Sequence, residues 1–338
     1  MRTAIYGAGA MGTVLGAYLE KSGYRVDLIN RNIEHVNALN KYGATISGCD
    51  NLNIPVTALT PDEMRGEYDL FFLMTRQQDN ERTADFLSGY LSPDGTVCTL
   101  QNGFPEPLLI NVLGKSRVVG CTAVWGATMI SPGNVTLNTD PDAMSFTLGS
   151  ITDESADKLK KIGGVLQTVC PVTIENNFAG ARWSKLLLNS AFSGISVVFN
   201  VSVGEISKNN DLADMAIQIM KECVDVSKKE GIVLAKVRGF DISKFIFTAF
   251  PLKNLISRPI LKLATKKDSN IKSGMLIDLE KGRKTDIDQI NGIVCRYGRK
   301  NSTPTPYNDK IVEAVHLMEN GSLTPGLHNL DIFKHPGF

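Results

Sequence analysis

Residues 2–12 read Arg2-Thr3-Ala4-Ile5-Tyr6-Gly7-Ala8-Gly9-Ala10-Met11-Gly12, and this stretch decides the fold. Arg2–Tyr6 has the apolar and β-branched make-up of a strand. Met11–Ser22 places its apolar residues on one face of a helix. Between them stands G-x-G-x-x-G, and each glycine has its own task. Gly7 permits the tight turn from strand to helix, Gly9 lets backbone approach a pyrophosphate, and Gly12 lets the helix pack on the strand. Ala8, Ala10 and Met11 complete the turn, and the helix start offers free N–H groups to an anion. A second strand follows at Arg25–Ile29, so the motif lies inside a β-α-β unit, as a dinucleotide fingerprint requires.

The end of that second strand indicates which dinucleotide. NAD sites usually place Asp or Glu there, to accept from the ribose 2′-OH. This chain has Asn30-Arg31. A carboxylate would repel a 2′-phosphate, whereas Arg31 can pair with one bidentately. Arg76, just past the apolar run Tyr68–Met74, reads either as a second cation for the same pocket or as a solvated loop charge. NADP (as NADPH) is the expected cofactor.

Outward from the motif, the first half keeps alternating strands and helices. Asn32–Lys41 reads as a helix. Tyr68–Met74 is apolar enough for a strand buried on both faces of a parallel sheet. Thr96–Leu100 follows a Ser92–Gly95 turn. Val118–Val124, a Pro132-Gly133 turn, Asn134–Leu137 and Ser145–Leu148 suggest hairpin-like strands. The expected fold is an α/β Rossmann-type N-terminal domain, doubly wound with antiparallel additions at one end. Near residue 178 the texture changes to long helical patterns at Ala181–Val198, Leu212–Lys229, Gly274–Lys281, Thr285–Arg299 and Tyr307–Glu319. The division is therefore 1–177 for NADP, 178–320 as a mostly α-helical substrate and catalytic domain, and 321–338 as an extended tail. Phe240–Asn270, interrupted by Pro251 and Pro259, reads as a buried or dimer-contacting helical excursion, so a homodimer is one expectation.

Composition narrows the class. Over 338 residues, 36 Lys plus Arg against 35 Asp plus Glu leave a net charge of +1, which argues against a body dedicated to nucleic acid or an anionic membrane. The six cysteines show no C-x-x-C and no Cys/His spacing, so neither a disulfide framework nor a metal site is expected. No apolar stretch approaches the ~20 residues of a membrane span, and the glycine-interrupted start is no signal peptide. A soluble, cytoplasmic protein is expected.

Reducing a ketone leaves an alkoxide that needs a proton. His35, His316, His328 and His335 stand in no motif-like context. Attention moves to Arg182-Trp183-Ser184-Lys185-Leu186-Leu187-Leu188-Asn189, where Lys185 and Asn189 share one helix face. A lysine flanked by Trp183 and three leucines can be partly desolvated, which favours its neutral form and makes it a usable acid near neutrality. On these residues alone, a snorkelling surface lysine at the polar edge of the helix is the commoner reading.

The chain resembles the ketopantoate reductase (2-dehydropantoate 2-reductase) family over roughly residues 1 to 320. The resemblance rests on Ile5 to Gly12, Gln101-Asn102-Gly103, Gly126 to Val135 with Pro132-Gly133, Trp183 to Asn189, Ser273 to Asn291, and Pro304 to Asn308. It implies NADPH-dependent reduction of a small 2-oxo acid, namely 2-dehydropantoate to (R)-pantoate in pantothenate biosynthesis, in a cleft between the two domains. It implies that Lys185 is the catalytic lysine, that Asn102 sits near nicotinamide and substrate, and that Asn189 contacts substrate. Asp286 occupies the place of a glutamate that works with the lysine.

Three positions depart from the family pattern. Ser193 stands where a second asparagine is expected. Gly274 falls at the substrate-carboxylate serine, with Ser273 adjacent as a substitute. Asp286 is one methylene shorter than glutamate. Three changes around one substrate imply a moved binding geometry. Two alternatives follow: a reductase of a different small 2-oxo acid on the same fold, and a non-catalytic NADP-binding sensor.

Overall fold

The computed structural model describes residues 1–237, 239, 241, 258, 261, 262 and 272–333. Most of the Phe240–Asn270 segment lies outside the described residues, as does the end of the chain from 334. The chain forms two compact units, Met1–Phe178 and Ala179–Phe338.

The first unit is built on an eight-stranded sheet. β1 (Thr3–Tyr6) is an interior strand, between β2 (Asp27–Ile29) and β6 (Tyr68–Leu73). β5 (Thr57–Leu59) continues the sheet beyond β2. On the other side come β7 (Leu91–Thr99), β8 (Val118–Ala123), β11 (Phe146–Gly149) and β12 (Val172–Ile174). All neighbours are parallel except β8 with β11, which supplies the expected antiparallel addition at one end. Leu70–Leu73 are fully buried because both faces of the sheet are covered. Helices α3 (Asn80–Ser88) and α4 (Glu106–Leu113) contribute Ala84, Leu87, Leu109 and Leu113 to one side. Helices α1 (Ala10–Lys21) and α5 (Ala156–Leu166) contribute Val14, Leu15, Leu19, Ile162 and Leu166 to the other.

A second sheet was not expected. β3 (Ala44–Gly48), β4 (Leu52–Ile54), β9 (Ala127–Ser131) and β10 (Asn134–Leu137) form four strands in the order β4-β3-β10-β9. The Pro132-Gly133 hairpin therefore joins β3 in parallel instead of extending the main sheet. This small sheet packs on α1. The Ser92–Gly95 turn is also corrected. These residues are a bulged part of β7, with a register shift against β6 between Tyr68 and Leu70.

The second unit is helical: α6 (Phe178–Phe199), α7 (Val203–Lys208), α8 (Asn210–Lys229), α9 (Gly274–Glu280), α10 (Asn291–Lys300) and α11 (Pro306–Glu319). The helix expected over Thr285–Arg299 is broken. Ile287–Gln289 is a 3₁₀ turn, and Ile290 (φ −111°, ψ −90°) interrupts it before α10. The extended tail is corrected too, because Leu327–Phe333 is a 3₁₀ helix. Asn329 is buried there and donates to the carbonyl of Val198 at 2.9 Å.

Candidate functional site

In the first unit, the turn after β1 has the geometry its glycines predict. Gly7 adopts φ +98°, and a Cβ there would stand 2.5 Å from the Thr75 nitrogen. At Gly12 a Cβ would meet the Gly7 carbonyl oxygen at 2.8 Å and Ile5 at 3.0 Å. Gly9 faces open space, with nothing within 4 Å of the Cβ position. It is also the N-cap of α1 and carries no capping side chain, so the first-turn amides of Ala10, Met11 and Gly12 are offered to a ligand. A pyrophosphate fits this arrangement: open space over Gly9, backbone donors and the positive end of a helix.

The turn is held from beneath. The amides of Gly7 and Ala8 both donate to the Ile29 carbonyl, at 3.0 and 2.9 Å. The buried Ala8 carbonyl accepts from three side chains: Asn30 Nδ2 at 2.8 Å, His35 Nε2 at 3.0 Å and Thr13 Oγ1 at 3.3 Å. Asn30 Oδ1 accepts from the Asn32 amide at 2.8 Å. The side chain at the end of β2 is therefore engaged within the protein at both its oxygen and its nitrogen.

Arg31 and Arg76 are exposed, just beyond the C-terminal ends of β2 and β6, the strands on either side of β1. Burial pushes the Tyr6 phenol up while the Arg31 guanidinium pulls it back, so that cation acts at the C-terminal end of β1. Asn102 is exposed after β7, and its carbonyl accepts from Gln77 Nε2. The preceding Gln101 is buried. Its amide nitrogen donates to the Thr75 carbonyl at 2.9 Å and Asn80 Oδ1 at 2.7 Å, and its oxygen accepts from Thr99 Oγ1 at 3.0 Å. Gln101 thus ties the loop carrying Asn102 to the loop that adjoins Gly7.

In the second unit, α6 is anchored by Trp183, Leu186, Leu187, Ala191 and Ile195, all buried. The Trp183 ring meets Tyr297 of α10 edge-on at 5.6 Å. Lys185, Leu188, Asn189, Phe192 and Ser193 are half-buried and recur at three- and four-residue steps, so they form one stripe along the helix. The structure thereby brings Lys185, Asn189 and Ser193 onto a single face.

The remaining candidates lie on other segments. Ser273 is the buried N-cap of α9, and its Oγ accepts from the Leu276 amide at 3.1 Å, so it has a structural task. Gly274 is exposed, and nothing stands within 4 Å of where a Cβ would point. Asp286 is half-buried, at the start of the Ile287–Gln289 turn. The preceding Thr285 is fixed through Glu319, whose Oε1 accepts from its amide at 2.7 Å and its hydroxyl at 2.8 Å.

His35 stands in no sequence motif, yet its ring is buried against the glycine turn. Among the described residues no group of side chains could hold a metal ion, and no helix is long and apolar enough to cross a membrane.

Comparisons with known proteins agree with this geometry. Residues 3–150 match the family model "Ketopantoate reductase PanE/ApbA", and residues 177–319 match "Ketopantoate reductase PanE/ApbA C terminal". The 2-dehydropantoate 2-reductase of Pyrococcus horikoshii is 29% identical over 320 residues, covering 95% of this chain and 98% of its own. That of Lactococcus lactis subsp. lactis is 26% identical over 325 residues, covering 94% and 98%. Among solved structures, the ternary complex of D-mandelate dehydrogenase with NADH and anilino(oxo)acetate aligns with a TM-score of 0.82 at 25% identity, covering 95% of this chain and 99% of that one. A PanE/ApbA family ketopantoate reductase from Ralstonia eutropha JMP134 aligns with a TM-score of 0.80 at 24% identity, covering 95% and 99%. A glycine turn after β1, a lysine–asparagine stripe on α6 and family matches across both units lead to one conclusion: the chain belongs to the ketopantoate reductase family of oxidoreductases.

Proposed function

We propose that this protein reduces 2-dehydropantoate to (R)-pantoate with NADPH, the reduction step of pantothenate biosynthesis. The observation that carries this reading is the half-buried stripe of Lys185, Asn189 and Ser193 on α6. It sets an ammonium group beside two neutral hydrogen-bonding side chains on one face. Bound at the Gly7–Gly12 turn, NADPH would supply a hydride to the keto carbon. Lys185 polarises the keto oxygen and donates the proton that the developing alkoxide needs. Asn189 and Ser193 orient the acid, Asp286 holds a substrate hydroxyl or assists the lysine, and Asn102 orients substrate and nicotinamide together. NADPH is favoured over NADH because Asn30 is engaged internally and carries no charge, while the Arg31 cation follows it at the surface. Relatives named 2-dehydropantoate 2-reductase support the choice of acid.

A second reading keeps the chemistry and changes the substrate to a bulkier, more apolar 2-oxo acid. It is favoured by Gly274, which offers space instead of a hydroxyl, and by Ser273, whose oxygen caps α9. The likeness to D-mandelate dehydrogenase points the same way.

The deciding experiment follows NADPH absorbance with a panel of 2-oxo acids that includes 2-dehydropantoate and phenylglyoxylate. The highest kcat/KM on 2-dehydropantoate is the expected result, and preference for the aryl acid selects the second reading. Tight NADPH binding with no turnover on any acid would instead identify a sensor.

A further inference from the structure

We propose that His35 is a positioning residue for the cofactor turn, holding the Ala8 peptide through one ring nitrogen while the other ties the ring to the small sheet. The inference rests on reading Gly7–Gly12 as the dinucleotide site and adds a determinant of how tightly that site binds.

The geometry fixes both the place of the ring and its tautomer. Asn32 caps α2 (Ile33–Tyr42), accepting from the amides of Glu34 at 3.0 Å and His35 at 3.3 Å. That cap sets His35 in the first turn of the helix, where the residue is 2% exposed. The Gly133 amide, which can only donate, lies 3.0 Å from Nδ1. Nδ1 is therefore the unprotonated nitrogen, and Nε2 carries the hydrogen. Nε2–H points to the Ala8 carbonyl at 3.0 Å, with Thr13 Oγ1 at 3.1 Å beside it. None of these three partners is charged, and burial lowers the imidazole's pKa from its ordinary value.

The Ala8 carbonyl explains why this matters for a ligand. Its oxygen sits in the middle of the phosphate turn, and rotated outward it would set a partial negative charge against a pyrophosphate. Three donors keep it inward. Asn30 and Thr13 come from segments next to the turn, at the end of β2 and in α1. His35 comes from α2 and is itself anchored to Gly133, whose carbonyl accepts from the Thr45 amide of β3 at 2.9 Å. The small sheet thus braces the cofactor turn through one imidazole.

The test compares the full-length protein with His35→Phe, which keeps a ring and loses all three hydrogen bonds, and His35→Gln, which can restore one. NADPH affinity is read by its own fluorescence. The expected result is a dissociation constant for NADPH about tenfold weaker in the phenylalanine variant and partly restored in the glutamine variant. At saturating NADPH, kcat and the KM for the oxo acid should stay within about twofold of wild type, as a determinant of cofactor affinity alone requires. A phenylalanine variant that binds NADPH as wild type does overturns the proposal, as does one that loses kcat with affinity unchanged. Should that variant fail to fold, nitrogen-15 spectra of histidine-labelled wild-type protein decide. A protonated Nε2 whose shift moves on saturation with NADPH supports the proposal, and an Nδ1–H tautomer or an unmoved Nε2 overturns it. Wild-type protein that does not bind NADPH would overturn the reading of the turn itself, and the role of His35 with it.

Discussion

Asn291 Nδ2 donates to the backbone carbonyl of Ser190 across a distance of 3.0 Å. Gly194, four residues further along α6, makes this approach possible, because a Cβ there would stand 2.9 Å from Asn291 Oδ1 and 2.7 Å from Ile311. Asn291 Nδ2 also donates to Asn308 Oδ1 at 3.0 Å, and Asn308 Nδ2 donates to Glu222 Oε2 at 2.7 Å. The Glu222 carboxylate accepts the amides of Tyr307 and Asn308 at the start of α11, at 2.9 and 3.0 Å. A buried polar chain thus runs from α8 through α11 and α10 to the residue beside Asn189.

Asn291→Leu removes both donations and leaves the Asn308 side-chain oxygen unsatisfied in the core. A loss of about 1–3 kcal/mol in unfolding free energy is expected, measured by urea denaturation. Gly194→Ala should cost a similar ~1–3 kcal/mol by overpacking the helix contact.

Lys185→Ala is expected to lower kcat by roughly 10²–10⁴-fold, the usual worth of a positioned acid. NADPH affinity should be unchanged, since the lysine lies outside the glycine turn. Stopped-flow turnover and fluorescence titration separate the two, and unchanged turnover would exclude Lys185 as the proton donor.

Arg31→Ala should weaken NADPH binding by about 10- to 100-fold, the range for a lost charge-assisted pair. NADH, which has no 2′-phosphate, should bind as before. Equal losses for the two cofactors would place Arg31 away from the 2′-phosphate.

Gly274→Ser adds a hydroxyl at the start of α9, where nothing lies within 4 Å of the Cβ position. The KM for 2-dehydropantoate should fall by several-fold, with stability within about 0.5 kcal/mol of wild type. An unaltered panel of acids would show that position 274 does not face the substrate.

Burial lowers the His35 pKa from its ordinary value of 6.5. Below pH ~6.5 the unfolded chain takes up a proton that the folded chain does not. Stability therefore falls as pH drops from neutrality through the lowered folded value. Thermal melts of wild type should show that slope, and His35→Phe should flatten it.

Much of the first unit was legible in the chain, for physical reasons that can be named. β1, α1 and β6 carry strong periods or unbroken apolar runs, and the motif glycines need the conformations they adopt. β4 and β5 have three residues each, too few for an apolar period to announce them. β3 pairs with a strand far along the chain. The break at Ile290 was hidden because apolar residues continue across it and only backbone geometry interrupts the helix. The Lys185–Asn189 face followed from helical spacing alone. The task of His35 did not, since its partner Gly133 lies 98 positions away.

That separation bears on how the protein is made. A nascent chain released no further than residue 130 would contain the complete glycine motif and both flanking strands, yet lack the hairpin on which the imidazole leans. Competence to capture the nucleotide should therefore arrive in two stages during synthesis: an early, loosely set turn, then a firm one after β10 has emerged and docked beside β3.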